Sequence, residues 1–267
     1  MRVSTASEPG TAGNSNEDWV SASPGVVVVL DGSTARTDTG CVHGVSWYAA
    51  KLGSSLAALA ADHDVALPQA LGIAIGHVAK QHSGCDLTHP GTPSAMVAVL
   101  RTTDSKLEYL ILGDTIIVLE TPDELRVITD TRVDSTAQAE RAEADRYPIG
   151  APEKQAALVR MKHAELAAKN QPGGFWVAAV DPTVIKHATT GSVPLNKLRR
   201  AVVLTDGAAR IVSLFGLLDW HDVLDLLDES GPGELVRRVR AVEAADPDGT
   251  RWPRNKRSDD ATVVYVH

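Results

Sequence analysis

Apolar residues along this chain fall into two kinds of run. Short, nearly unbroken Val/Ile/Leu segments predict strands buried on both faces: "VVVVL" at 26–30, "SAMVAVLRT" from Ser94, "KLEYLILGD" and "TIIVLET" around Asp114, "ELRVIT" from Glu124, "RAVVLTDG" from Arg200 and the terminal "ATVVYV". Longer stretches carry apolar residues at helical spacing. Val45, Tyr48, Ala49, Leu52, Leu56 and Leu59 form one stripe, and Leu71, Ile75, Val78 and Ala79 a second. "DWHDVLDLLDES" and "PGELVRRVRAVEAA" predict a helical pair divided at Gly231-Pro232. Residues 135–169 are rich in Ala, Glu, Lys and Arg and poor in large apolar residues. They predict an exposed helical insertion, ending in the loop "NQPGGF". With its flanks the insertion spans about 131–172, a candidate flap. Strands in runs favour an α+β layered fold over a doubly wound one. No linker composition divides residues 1–267, so one domain is expected.

Composition narrows the function classes. A net charge of −8, from 34 acidic and 26 basic residues, disfavours nucleic acid as a partner. No apolar run approaches the length needed to span a bilayer, and the N-terminus lacks the apolar segment of a signal peptide. The two cysteines, Cys41 and Cys85, cannot make a disulfide framework, and neither has the spacing of a zinc site. A reducing, cytoplasmic setting and a monomeric chain are the expectations.

The candidate chemistry lies where strands end. "VVVVLDG" delivers Asp31 and "VVLTDG" delivers Asp206, each after an all-apolar strand. "NSNEDWV" adds Glu17 and Asp18, "LILGDT" adds Asp114, and "RSDDATVVYV" adds Asp259 and Asp260. A lone Asp-Gly is most simply a turn. If the strands lie side by side, however, these carboxylates meet, and several cannot ionise together without a cation between them. Oxygen-rich sites suit Mg²⁺ and Mn²⁺, and paired ions suit phosphoryl chemistry.

The order "NED", "VVLDG", "GTPSAMVAVL", "LILGDT", "VVLTDG", "SDDATVV" resembles the metal-dependent serine/threonine protein phosphatases, the protein phosphatase 2C (PPM) family. The resemblance runs from about residue 14 to the C-terminus. It implies a four-layer α-β-β-α sandwich of two packed, mainly antiparallel sheets flanked by helices, with two Mn²⁺ or Mg²⁺ ions at one end. It further implies that Asp31 bridges the ions, that the Gly32 carbonyl touches the second, and that Asp206 and Asp259 hold the first. Glu17 and Asp18 would act mainly through bound waters, and Asp114 would belong to a possible third site. The implied activity is hydrolysis of phosphoserine or phosphothreonine in proteins by a metal-activated water, with Asp31, Asp206 and Asp259 as the catalytic set. Two alternatives stand beside it: a degenerate relative that binds metal and a partner for regulation, and a small-molecule phosphatase.

Three departures from the family pattern bear on the substrate. Gly13 stands where the family usually has a phosphate-gripping arginine. Ser33-Thr34-Ala35 replaces the segment that often begins with a proton-donating histidine. Arg210 replaces an aspartate that helps to hold a third ion; it is expected to pair with Asp114 or another site acid. Replacement phosphate ligands are sought in Arg36, Arg254, Lys256 and Arg257. His43 is either a proton donor or a helix-start residue, and Cys41 is discounted as a nucleophile.

Overall fold

In the computed structural model, which describes residues 2–267, ten strands form two five-stranded sheets. The strands are β1 (Val3–Glu8), β2 (Trp19–Ala22), β3 (Val26–Gly32), β4 (Ala95–Thr102), β5 (Lys106–Leu112), β6 (Ile116–Glu120), β7 (Leu125–Ile128), β8 (Thr189–Pro194), β9 (Arg200–Leu204) and β10 (Ala261–Val266). One sheet has the order β1-β10-β9-β6-β7 and the other β2-β3-β4-β5-β8, and every pairing is antiparallel.

Helices α1 (Val45–Ala60) and α2 (Leu67–Ala79) cover the β3/β4 face. Helices α5 (Asp206–Ser213), α6 (Trp220–Ser230) and α7 (Pro232–Ala245) cover β9 and β10. This is the expected four-layer α+β sandwich. The split of α6 from α7 falls at Gly231, whose φ of 76° suits a residue without a Cβ.

The unbroken apolar runs follow from burial on both faces. Along β3, Val26, Val28 and Leu30 pack under α1 and α2, while Val27 and Val29 pack against the other sheet. The two-residue period of a strand therefore sets Asp31 on the same side as Val27 and Val29, at the end of the space between the sheets. The inter-sheet face of β10 carries Val264 and Val266 in the same way, which sets Thr262 on that side.

Three strands and one helix lie outside the sequence expectations. β1, β2 and β8 are edge strands with mixed polar residues and lack an apolar run. Helix α5 begins at the second Asp-Gly, where a turn signal alone is visible in the sequence. The insertion forms two helices, α3 (Gln138–Ala144) and α4 (Pro152–Ala168). It is less exposed than its composition suggests: Ala144, Ala157, Leu158 and Met161 make a small core, and α4 also buries Lys154 and Lys162.

Candidate active site at the end of the two sheets

Five carboxylates from separate segments gather at one end of the sandwich. The glycines of the two Asp-Gly pairs explain how backbones come close enough. A Cβ on Gly32 would lie 2.5 Å from the Glu17 carbonyl oxygen, and one on Gly207 would lie 1.9 Å from the Asp260 carbonyl oxygen. Only glycine permits such approach. The start of α5 thus lies against the Asp259-Asp260 turn, and the backbone N–H of Asp206 donates to Asp31 Oδ2 at 3.4 Å. Gly113, with φ 92°, makes the turn that brings Asp114 to the same end.

Asp18 is buried and accepts hydrogen bonds from Thr205 Oγ1 (2.9 Å) and Thr262 Oγ1 (2.7 Å). Asp260 is a tether: its carboxylate accepts from the Gly10 N–H at 2.7 Å and the Glu17 N–H at 2.6 Å. That tether holds the 10–17 segment on the rim.

The acids raise one another's pKa values. Burial, followed by the charges of Asp206, Asp18, Asp114 and Asp259, pushes Asp31 well above the usual carboxylate range. Burial and Asp206 do the same to Asp114, and burial with the Asp259 charge raises Asp206, which still reaches solvent at the rim. Asp18 is raised by burial, against the help of its two threonines. Glu17 is raised by burial, although Thr34 Oγ1 donates to it at 2.6 Å. Asp114 Oδ1 is buried with no hydrogen-bond partner. A crowd of mutually repelling carboxylates with an orphaned acceptor fits a hard divalent cation.

Asp259 differs from the other acids. Arg210 Nη2 donates to its Oδ2 at 2.7 Å, and Lys256 Nζ also pairs with it. Against burial, these two cations hold the Asp259 pKa below the ordinary value. Arg210 also donates from Nη1 to Glu243 Oε1 at 2.8 Å, so it bridges two acids, and neither is Asp114. Its expected partner is therefore the second option, another site acid.

The basic candidates separate in the structure. Lys256 stands at the site and donates to Thr34 Oγ1 at 2.9 Å. Arg36 is half-buried, feels the charges of Asp259, Glu165 and Glu17, and donates to the Asn255 carbonyl at 3.4 Å. Arg254 must be struck from the phosphate candidates: it is buried, paired to Asp246 Oδ2 at 2.9 Å, and bonded to neighbouring carbonyls. Its position near Asp259 in sequence misleads because the guanidinium turns inward to close the 246–257 loop. Arg257 is exposed, and its carbonyl accepts from Arg254 Nε.

Two cations were missed in the sequence. Lys162 of α4 donates to Ser33 Oγ at 3.0 Å, two residues beyond Asp31, and Lys169 donates to the Thr92 carbonyl at 3.0 Å. Both border a small cleft with Ser33, Thr37, Thr92 and Ser94. Burial, then the Lys162 charge, pulls Lys169 down to about 8. The insertion thus lies beside the acid cluster. No sequence signal separates these lysines from the solvated lysines of a polar helix. His43 lies two residues before α1, and its ring meets Cys41, Cys85 and Trp47 rather than the acids. Its ring is thus turned to the start of the α1–α2 hairpin and away from the acids.

No protein-family profile matches the chain, and no curated relative does. Solved structures match over almost its whole length. The serine/threonine phosphatase PstP/Ppp of Mycobacterium tuberculosis is 18% identical at a TM-score of 0.56, covering 99% of this chain and 97% of that one. PppA of Pseudomonas aeruginosa, described as a regulatory component of its T6SS, is 15% identical at 0.58, covering 99% and 96%. The PPM phosphatase MsPP of Mycobacterium smegmatis, solved with cacodylate, is 18% identical at 0.56, covering 99% and 97%. A further structure of the PstP catalytic domain holds two manganese ions. At these identities the likeness is one of architecture, and the chain is built on the fold of the PPM-type serine/threonine phosphatases.

Proposed function

We propose that this protein is a metal-dependent phosphomonoester hydrolase acting on phosphoserine or phosphothreonine in proteins. The observation that carries the reading is the convergence of Asp18, Asp31, Asp114, Asp206 and Asp259 at one end of the sheets, with an orphaned buried carboxylate oxygen among them. Asp31, the Gly32 carbonyl, Asp206 and Asp259 are the proposed holders of two Mn²⁺ or Mg²⁺ ions, with Asp18 and Glu17 acting through waters. Such ions supply a water of lowered pKa and neutralise charge at phosphorus.

The remaining work falls to the chain's own side chains. Lys162, which donates to Ser33 Oγ, and Arg36, which feels the charges of Asp259, Glu165 and Glu17, are the proposed residues to orient a phosphate, a task for which Gly13 has no side chain. Thr34 relays between Lys256 and Glu17, fixing both on the rim. The α3–α4 insertion is the proposed substrate-selecting flap. The proposed partner is a phosphorylated protein in the cytoplasm, met by a single chain; no described helix is long and apolar enough to cross a membrane.

The test is turnover of p-nitrophenyl phosphate and of a phosphothreonine peptide, with Mn²⁺ and with EDTA. Metal-dependent hydrolysis lost in Asp206→Asn supports the reading, and undiminished hydrolysis in chelator ends it. The Arg210 and Lys256 grip on Asp259 favours one second reading, a regulator that binds a phosphorylated partner with little turnover. Phosphopeptide binding without hydrolysis at any Mn²⁺ concentration would select it.

A further inference from the structure

The α1–α2 hairpin carries a second side-chain cluster, chemically unlike the first. Cys41 and His43 lie just before α1, and His82 and Cys85 just after α2. The antiparallel hairpin brings the two pairs together, and one ligand atom from each residue lies within 4.8 Å of all the others. Cys41 Sγ is 3.4 Å from Cys85 Sγ, 3.4 Å from His82 Nδ1 and 3.7 Å from His43 Nδ1; Cys85 Sγ is 3.3 Å from His43 Nδ1.

These separations are four of the six edges of a small tetrahedron, whose other two lie within 4.8 Å. Zinc bonds of about 2.3 Å to sulfur and about 2.0–2.1 Å to nitrogen give tetrahedral edges of about 3.8 Å between sulfurs and about 3.5 Å from sulfur to nitrogen. These four edges lie within a few tenths of an ångström of those values. A disulfide requires sulfurs about 2.05 Å apart and gives no reason for two imidazole Nδ1 atoms to face the same point.

The surroundings hold the ligands in place. The His43 ring stacks on Trp47 at 4.1 Å, and the His82 ring meets the same indole edge-on at 4.8 Å. One tryptophan therefore fixes both imidazole planes. The His43 backbone N–H donates to Cys41 Sγ at 3.4 Å, an interaction that supports a thiolate. His82 is buried, and the other three ligands are half-buried, which suits a closed site.

We infer that Cys41, His43, His82 and Cys85 form a structural Zn²⁺ site that clips the start of α1 to the end of α2. Two thiolates and two neutral imidazoles balance the ion's charge and fill its four positions, leaving none for a substrate. The site is separate from the acid cluster and does not depend on the function proposed for it. The spacing Cys-x-His and His-x₂-Cys, divided by the length of a helical hairpin, hides it in the sequence, where the two cysteines are read as lacking zinc spacing. Only the fold closes it.

The clip has a consequence for the neighbouring loop. Residues 33–44 run from the acid cluster to Cys41 and carry Thr34 and Arg36. The Asp86 N–H donates to the Gly40 carbonyl at 2.8 Å, and His89 Nε2 stands 3.8 Å from Asp38. The zinc site therefore anchors one end of the loop whose other end begins at Asp31.

The experiment uses the full untagged chain, purified under reducing conditions and dialysed against metal-free buffer. Elemental analysis should find about one zinc per chain, and the Cys41→Ser and Cys85→Ser variants should fall to near zero. Asp31→Asn should keep its zinc, which separates this site from the acid cluster. Exchange of the wild type with Co²⁺ should give the thiolate charge-transfer band and intense visible bands of a tetrahedral S₂N₂ centre, and this reading needs no folded variant. Absence of zinc and of a Co²⁺ spectrum after reconstitution of the reduced wild type overturns the site. So does zinc retained at full stoichiometry in the Cys41→Ser/Cys85→Ser double variant, or a Cys41–Cys85 disulfide found by mass in protein purified without reductant and unable to take up zinc after reduction.

Discussion

Arg210→Met separates two consequences of the same contact. Arg210 is 8% exposed and lies between Glu243, which is 1% exposed, and Asp259. Methionine keeps much of the side chain's length and volume but removes the charge. Breaking a buried pair by removing one partner costs roughly 3–5 kcal/mol, because the other partner stays buried and uncompensated. Here Glu243 retains Arg240 Nη1 at 2.9 Å, and Asp259 retains Lys256, so the lower end, about 3 kcal/mol, applies. For a domain of this size that is a fall of about 6–12 °C in Tm. Metal binding should move the other way. Arg210 competes for a carboxylate that the proposed site needs, and its removal should tighten Mn²⁺ binding by about tenfold, or about 1.4 kcal/mol. The assay is thermal melting by circular dichroism with and without Mn²⁺, paired with calorimetric titration. The Arg210→Met/Glu243→Gln double variant should recover much of the lost stability while keeping the tighter metal binding, since no buried charge is then stranded. If Arg210→Met melts with the wild type and binds Mn²⁺ with wild-type affinity, Arg210 does not guard Asp259 and the argument fails.

Three further outcomes follow from the same geometry. Asp31→Asn should abolish metal-dependent turnover yet raise the metal-free Tm by a few degrees at neutral pH. The folded-state pKa of Asp31 lies above its unfolded value, so metal-free stability falls as pH rises from about 4 through the raised pKa, and melting curves against pH should show a slope that the variant reduces and Mn²⁺ flattens. Arg254→Ala should destabilise the protein by about 3–5 kcal/mol without changing kcat/KM of the folded fraction, because this guanidinium serves Asp246 rather than the substrate; a selective rise in KM would contradict that placement. Lys162→Ala should lower kcat/KM on a phosphopeptide by about ten- to a hundredfold with little change in Tm, whereas an unchanged kcat/KM would remove Lys162 from the proposed phosphate ligands.

The layers of this fold are legible in the sequence because most of its strands are buried on both faces. "VVVVL" has no polar alternation to mislead, and Asp31 stands out as a charge ending a core strand. β1 and β8 are not legible for the converse reason. They pair along an edge, half in solvent, and their Ser, Thr and Gly residues are held by backbone ladders that side-chain patterning does not record. Asp31, Asp114 and Asp206 are legible from their local setting, a strand end beside glycine, which is a property of consecutive residues. The cations were not, because a lysine's role depends on where its helix lies. Lys162 and Lys154 share the polar composition of α4, yet one reaches Ser33 and the other the Ala144 carbonyl.

Arg254 shows the same limit in reverse. It lies five residues from Asp259 in sequence, but it faces the loop interior, while Arg210, forty-nine residues from Asp259, makes the contact. Proximity along the chain constrains a backbone and leaves a long side chain free to choose its partner. Among the acids of the cluster, Asp259 is the one directly paired with protein cations. Lys256 and Arg210 pair with Asp259 and their charges reach Asp206, while Asp31 and Asp114 lie among carboxylates that push their pKa values up. A divalent ion entering from the Asp31–Asp114 side relieves repulsion and displaces no protein cation; one entering at Asp259 must compete with two. The two proposed ions should therefore bind with unequal affinity, the tighter on Asp31 with its buried neighbours. Calorimetric titration with Mn²⁺ should resolve two steps in the wild type that draw together in Arg210→Met, and two equal steps in the wild type would show that Asp259 yields its partners freely.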